Sequence, residues 1–145
     1  MIAPTIEYLA RCHCGALSAR YRTAIPPAEW SVRACQCSFC RMHGSLTTSD
    51  PAGSLGFAAR HEDRLQRYRF DSRSADFLVC RECGVFVGAR CSIAPGDFGV
   101  LNLATLRPQP PALPPATLIE FGHESPGERL RRRAQFWTRL APGSV

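Results

Sequence analysis

The sequence predicts a mostly β protein of small antiparallel sheets, held together by cysteine turns of the zinc-knuckle type, with one α-helix near the C-terminus. Short runs of alternating apolar and polar residues recur between turn signals, which is typical of antiparallel sheets. Seven of the eight cysteines fall into three tight clusters, two of which glycine directly follows. One stretch near the C-terminus combines a capping motif with helical periodicity.

The N-terminal part of the chain is predicted to form strands separated by turns. Leu17, Ala19 and Tyr21 alternate with polar residues, which indicates a half-buried strand over 15–23. A helical turn over 41–45 is expected to end at Gly44. The Gly, Ser, Ala and Pro content of 47–62 predicts a loop that covers the cysteine cluster of residues 35–40. Further strands are predicted over 30–34, 65–70, 77–79, 85–90 and 99–106.

The C-terminal part has a different pattern. Residues 107–115 hold five of the twelve prolines, which predicts an extended connector, and 117–121 is expected to add an edge strand. Ser125 and Glu128 match a capping box that opens a helix. The residues at helical spacing after it are Leu130, Ala134, Trp137 and Ala141. We therefore expect a zinc-binding domain over 1–106, with 107–145 packed on the same domain.

The charge of the chain comes entirely from arginine, because the formal net charge is +6 and the sequence contains no lysine. The absence of lysine excludes a Schiff-base mechanism. A mild positive excess favours a small anionic ligand. The arginines are scattered, and Arg131, Arg132 and Arg133 are expected to form a solvated helix face, so we predict no nucleic-acid partner.

The sequence shows no targeting or membrane segment. Its N-terminus lacks a basic region followed by an apolar stretch, and no window offers 18 uncharged apolar residues. We therefore expect a cytoplasmic protein without membrane contact. Disulfides are rare in that compartment, so clustered thiols indicate metal ligands. The sequence leaves the oligomeric state undetermined.

The clustered cysteines divide naturally between two ions per chain. Two clusters contribute two thiols each and the third contributes three, so the pairs must combine if every ion has three or four ligands. This assigns Cys12, Cys14, Cys80 and Cys83 to a closed structural zinc site. It assigns Cys35, Cys37 and Cys40 to a catalytic zinc site with one open position.

Three further residues are candidates for chemistry. Arg41 is positioned to lower thiolate pKa values or to hold a substrate carboxylate, and His43 is a candidate proton carrier at the open position. Either residue would otherwise be an ordinary solvated side chain. Cys91 lies outside the clusters, where a buried free thiol is the default and a reactive nucleophile the alternative.

Residues 11–106 contain, in order, the motifs C-H-C-G-A-L, C-Q-C-S-F-C-R with H-G-S, L-Q-R-Y-R-F, C-R-E-C-G-V and G-V-L-N-L-A-T-L. Because of these ordered motifs, this part of the chain resembles the glutathione-dependent formaldehyde-activating enzyme family. The resemblance implies a β-tent fold of small coiled antiparallel sheets. It also implies the same two zinc ligand sets. The proline-rich connector and arginine-rich helix after Leu106 depart from the family pattern.

The function expected from this resemblance is that of a zinc-dependent carbon–sulfur lyase or synthase. It would add a small thiol such as glutathione to a small aldehyde such as formaldehyde, giving an S-hydroxymethyl adduct. Two alternatives stay open. One is a zinc-stabilised binding module without catalysis, and the other is a thiol redox enzyme that uses Cys91.

Overall fold

The computed structural model describes residues 3–145, which form eleven strands and two α-helices. The strands are β1 (Ile6–Arg11), β2 (Leu17–Thr23), β3 (Arg33–Cys35), β4 (Thr47–Thr48), β5 (Ser54–Ala59), β6 (Leu65–Tyr68), β7 (Asp76–Cys80), β8 (Phe86–Ile93), β9 (Gly96–Asn102), β10 (Thr117–Ile119) and β11 (Thr138–Arg139). The helices are α1 (Ser38–His43) and α2 (Pro126–Phe136).

The smaller of two sheets contains three antiparallel strands in the order β1-β2-β5. The central strand β2 buries every second residue, because alternate side chains of a strand point to opposite faces. Leu17, Ala19 and Tyr21 are each less than 4% exposed on that inner face. The alternation predicted from the sequence is therefore confirmed, and it directs this sheet toward the core.

The larger sheet follows the order β10-β3-β4-β9-β8-β7-β6, and β11 pairs with β9 at its side. Its pairs are antiparallel except for β10 and β3, which run parallel. Since β3 contains Cys35, the C-terminal strand β10 lies directly beside one of the clustered cysteines. Strand β10 occupies the edge of the sheet, as predicted for this segment.

The main core lies between the two sheets. Leu55, Leu78, Leu101 and Leu106 are completely buried there. An aromatic contact closes one side, where the rings of Tyr21 and Trp30 meet edge to face at 5.3 Å. Burial of this apolar surface is the main favourable term in folding.

Helix α2 packs over a second, smaller core. The Ser125 side chain accepts from the Glu128 amide, and the Glu128 carboxylate accepts from the Ser125 amide, which confirms the predicted capping box. The helix ends at Phe136, and Trp137 continues as extended chain into β11, so the predicted helical spacing through Ala141 is wrong. Pairing of β11 with β9 takes the place of the last helical turn.

The mostly β fold with one main helix near the C-terminus is confirmed, with two corrections to the elements. Residues 47–62, predicted to be a loop, contain β4 and β5, because the small residues of that stretch conceal the alternation of buried Leu55 and Phe57. Strand β1 was not predicted, since it buries little of its length. Within the described residues no helix is long and apolar enough to cross a bilayer.

Candidate metal centres

The four paired cysteines meet where two strand connections come together. Cys12 and Cys14 follow β1, Cys80 ends β7, and Cys83 lies in the connection from β7 to β8. Their four sulfur atoms all lie within 4.8 Å of one another. The sulfur of Cys14 lies 3.7 Å from that of Cys12 and 3.6 Å from that of Cys80. This group can hold one metal ion, with the pairing expected from counting ligands.

The two connections fold alike around their sulfurs. Gly15 and Gly84 both adopt a left-handed backbone, with φ of 83° and 79°, which side chains disfavour. The amide of Leu17 donates to the sulfur of Cys12 at 3.2 Å. In the second connection the amide of Cys83 donates to the sulfur of Cys80 at 3.5 Å. Amides aimed at sulfur stabilise the thiolate form that binds a metal.

The protonation of these thiols is uneven. Burial raises the pKa of Cys12 to about 11, and the neighbouring thiols add to this effect. Burial also opposes ionisation of Cys83, yet hydrogen bonds from the amides of Cys14 and Val85 and from neighbouring thiols lower its pKa to about 6. A bound cation would favour all four thiolates together, because its charge offsets their mutual repulsion.

The second group lies at the start of helix α1. Cys35 ends β3, Cys37 is the N-cap of α1, and Cys40 follows in its first turn, with the three sulfur atoms within 4.8 Å of one another. The amide of Cys40 donates to the sulfur of Cys37 at 3.4 Å. The helix ends at His43 and Gly44 caps it with a left-handed backbone, so the predicted end is confirmed, whereas the predicted start at residue 41 is wrong because the helix begins at Ser38. This group can hold a metal ion with three protein ligands.

Contacts among the three sulfurs shift the pKa values of Cys37 and Cys40 in opposite directions. Hydrogen bonds from the thiols of Cys35 and Cys40 lower the pKa of Cys37. The same contacts raise the pKa of Cys40, and burial raises it further. One negative charge is therefore readily formed in the group, and the others require a cation.

A cavity of about 460 Å³ opens beside the three-cysteine group. All three cysteines line it, together with aromatic and apolar side chains of the larger sheet. Its volume lies in the range of small-molecule sites. None of the four paired cysteines lines this cavity, although Cys14 is exposed at the surface.

Charged side chains also line this cavity, and three of the six come from helix α2. The lining charged residues are Arg33, Asp71, Glu120, Arg129, Arg132 and Arg133. Arg132 donates two hydrogen bonds to Glu124 at 2.8 and 2.9 Å, and its guanidinium lies 3.6 Å from the centre of the Phe121 ring. The cavity wall is therefore rich in arginine.

The structure places the three other candidate residues apart from this cavity. The side chains of Arg41 and His43 are exposed, and neither lines it. The ring of His43 packs against Phe39 at 4.3 Å and Phe86 at 5.7 Å. Cys91 is 2% exposed and donates to the Ser74 carbonyl at 3.0 Å. Their proposed roles in catalysis stay predictions.

Two cavity residues were not identified from the sequence. Arg33 lies two positions before Cys35 on β3, so the two side chains share one face of the strand. Arg133 was expected to be solvated, and this is wrong, because it is only 8% exposed. Its position three residues after Leu130 places both on the inner face of α2, which was the available signal.

Comparisons with known proteins bear mainly on the fold. No protein-family model matches the chain, and no curated protein matches it. A crystal structure of a Rhodobacter sphaeroides protein, a structural genomics target, is similar to this chain with a TM-score of 0.51 and 27% identity. The similarity covers 75% of this chain and 99% of that protein. The chain is thus similar to a protein from Rhodobacter sphaeroides and carries two cysteine groups that can hold metal ions.

Proposed function

We propose that both cysteine groups bind zinc and that the protein is a zinc-dependent carbon–sulfur lyase or synthase. In the forward direction the sulfur of a small thiol forms a bond to the carbonyl carbon of a small aldehyde. The carbonyl oxygen takes up the proton that the thiol lost. The product of a glutathione-like thiol and formaldehyde is an S-hydroxymethyl adduct, and the reverse reaction breaks the same bond.

The sulfur geometry supports zinc in the four-cysteine group. Two sulfurs bound to one tetrahedral zinc at about 2.3 Å lie about 3.8 Å apart. The measured separations from Cys14 to Cys12 and to Cys80 are 3.7 and 3.6 Å, close to this value. A disulfide would require about 2.05 Å, and all eight cysteines are free. Thiolate donors favour zinc over hard cations such as magnesium.

The observation that carries the proposal is the contrast between the two groups. Four sulfurs fill a tetrahedral site, whereas Cys35, Cys37 and Cys40 supply three and line a cavity large enough for a small molecule. Three protein ligands with one open position are typical of catalytic zinc. Zinc bound there would supply the positive charge that keeps an incoming thiol as its thiolate at neutral pH.

The chain's own residues would position the reactants. The side chains of Phe70, Phe77 and Phe86 form part of the apolar cavity wall, and this wall would exclude water from the reacting carbon. The resemblance to the glutathione-dependent formaldehyde-activating family supports the pairing of thiol and aldehyde. We retain Arg41 and His43 as low-ranked candidates, because both lie outside the cavity lining.

The test is exchange NMR spectroscopy of formaldehyde and glutathione with zinc-loaded protein. We expect faster exchange between free aldehyde and adduct than in buffer, and we expect Cys37→Ser to remove the acceleration while one zinc per chain stays bound. An exchange rate equal to that of buffer would contradict the proposal for this substrate pair. An unchanged rate in Cys37→Ser would show that the three-cysteine group is not the site.

A further inference from the structure

Arg133 carries a buried charge without a carboxylate partner among residues 3–145. It is 8% exposed, and its Nη1 donates to the Ser74 hydroxyl at 2.8 Å. Its Nε is buried and has no hydrogen-bond partner among residues 3–145. No carboxylate of the described residues lies within 4.0 Å of this guanidinium. A buried charge without a counter-charge is costly and requires an explanation.

The immediate neighbours of Arg133 are neutral. The sulfur of Cys91 lies 3.6 Å from its Nη1, but this sulfur donates to the Ser74 carbonyl and therefore carries its proton. The ring of Trp137 lies 4.9 Å from the guanidinium carbon. A thiol, a hydroxyl and an indole do not supply the negative charge that this guanidinium lacks.

The other arginines of α2 that line the cavity have acidic partners. Arg129 lies 2.9 Å from Asp71 and 3.8 Å from Glu124. Arg132 binds Glu124 through two hydrogen bonds. In the described part of the chain, these two arginines of α2 have carboxylate partners, whereas Arg133 on the same helix has none.

Arg33 is a second cavity arginine without an acidic partner within 4.0 Å in the described part of the chain. Its Nη2 donates to the hydroxyl of Ser49, which in turn donates to the Phe136 carbonyl. Arg33 lies two positions before Cys35 on β3, so its side chain shares a strand face with one of the clustered thiols. The hydrogen-bond partners of Arg133 within residues 3–145 are Ser74 and Cys91, and neither belongs to the three-cysteine group.

We infer that Arg133, assisted by Arg33, forms an anion subsite of the 460 Å³ cavity that takes the carboxylate of a small ligand. A guanidinium binds carboxylates through paired, charge-assisted hydrogen bonds. Because the cavity also reaches Cys35, Cys37 and Cys40, the ligand is a thiol that carries a carboxylate. That last step rests on the proposed function, whereas the anion subsite does not.

A matched pair of ligands tests the subsite. Isothermal titration calorimetry compares 3-mercaptopropionate with its neutral amide, 3-mercaptopropionamide, on the zinc-loaded protein. We expect the carboxylate to bind at least about tenfold more tightly, as expected for a hydrogen bond to a charged group. Arg133→Met is expected to remove this preference, and Arg131→Met, an exposed arginine on the same helix, is expected to keep it.

A ligand without sulfur separates this inference from the proposed function. We expect glutarate to bind Cys37→Ser, and the affinity to fall at least about tenfold in the double variant Cys37→Ser/Arg133→Met. Glutarate binding to Cys37→Ser, together with no catalysis of thiol and aldehyde by the zinc-loaded parent protein, would leave the subsite supported and the proposed function refuted. Glutarate binding that is absent, or that Arg133→Met leaves unchanged, would overturn the subsite.

Two further variants test the anion subsite if Arg133→Met does not fold. Arg133→Lys keeps the positive charge and loses the planar pair of donors, and Arg33→Met removes the second guanidinium from another element. We expect each variant, with a melting curve like that of the parent protein, to bind 3-mercaptopropionate less tightly and 3-mercaptopropionamide unchanged. Equal weakening of both ligands would overturn the subsite.

Discussion

Replacing Cys80 and Cys83 together with serine should remove the zinc of the four-cysteine group, because only two of its sulfurs would remain, and should destabilise the whole fold. This zinc would join residues 66 positions apart, as the contact between Cys14 and Cys80 shows. The chain-entropy relation for a cross-link of that length gives about 4 kcal/mol at 25 °C. For a domain of this size such a loss lowers the melting temperature by about 13 °C.

Replacing Cys37 should have a smaller effect on stability, because the three-cysteine group spans only residues 35–40. The same relation gives about 2 kcal/mol for a loop of that length. Helix α1 and strand β3 also hold these residues through their own hydrogen bonds. Both variants should lose one zinc per chain, and they should differ in melting temperature.

The assay combines metal analysis per chain with thermal unfolding followed by circular dichroism. Cys91→Ala serves as the control, because Cys91 belongs to neither group of sulfurs, and it should retain two zinc ions. Two ions in Cys80→Ser/Cys83→Ser, with a melting temperature within about 2 °C of the parent, would refute the assignment of these two cysteines to a cross-linking site. Equal destabilisation by Cys37→Ser would refute the distinction between structural and accessible zinc.

Three further predictions concern single positions. Gly84→Ala should lower the free energy of unfolding by about 1–2 kcal/mol, as chemical denaturation would measure. The cause is backbone strain alone, since no described atom beyond the chain neighbours lies within 4 Å of the added carbon. Glu124→Gln should lower the free energy of unfolding by about 1 kcal/mol at neutral pH, because Arg132 lowers the pKa of the Glu124 carboxyl. The difference in unfolding free energy between parent and variant should shrink as the pH falls below 4.5. Acid unfolding curves that differ equally at all pH values would contradict this. His43→Ala should lower turnover less than about tenfold, because its ring lies outside the cavity, whereas a loss of about 100-fold would support proton transfer by His43.

The cysteine groups could be predicted from the sequence because their geometry is mostly local. Two ligands of each connection lie two or three positions apart, and the glycine after them has the left-handed backbone that this turn requires. Counting ligands then left only one economical way to combine the pairs. The sulfur separations agree with that combination.

The arginines of the cavity could not be predicted in the same way. Arg33 and Arg133 lie 100 positions apart, and only the packing of α2 beside the larger sheet brings both to one cavity. A run of three arginines on a helix is usually solvated, and the three-residue spacing from Leu130 was the one local signal that set Arg133 apart from Arg131. Tertiary packing determines which of them is buried.

The end of α2 shows the same limit. The capping box contains its own hydrogen-bond partners, so the start of the helix could be predicted from four residues. Its end depends on β11, where Thr138 pairs with Gly99 of β9. The apolar side chains of Trp137 and Leu140 fit a helix or a strand, and pairing with a distant strand decides between them.

The C-terminal segment joins the metal chemistry to the choice of ligand. Strand β10 pairs with β3 and makes hydrogen bonds at both ends of that strand, from the Thr117 amide to the Val32 carbonyl and from the Gln36 amide to the Ile119 carbonyl. Residues beyond 106 therefore hold the strand that carries Cys35. Helix α2 then supplies three of the four arginines on the cavity wall. The family resemblance covers only residues 11–106, which contain every clustered cysteine. The proposed zinc ligands therefore lie within residues 11–106, whereas Arg133, which we infer binds the carboxylate of the ligand, lies beyond them.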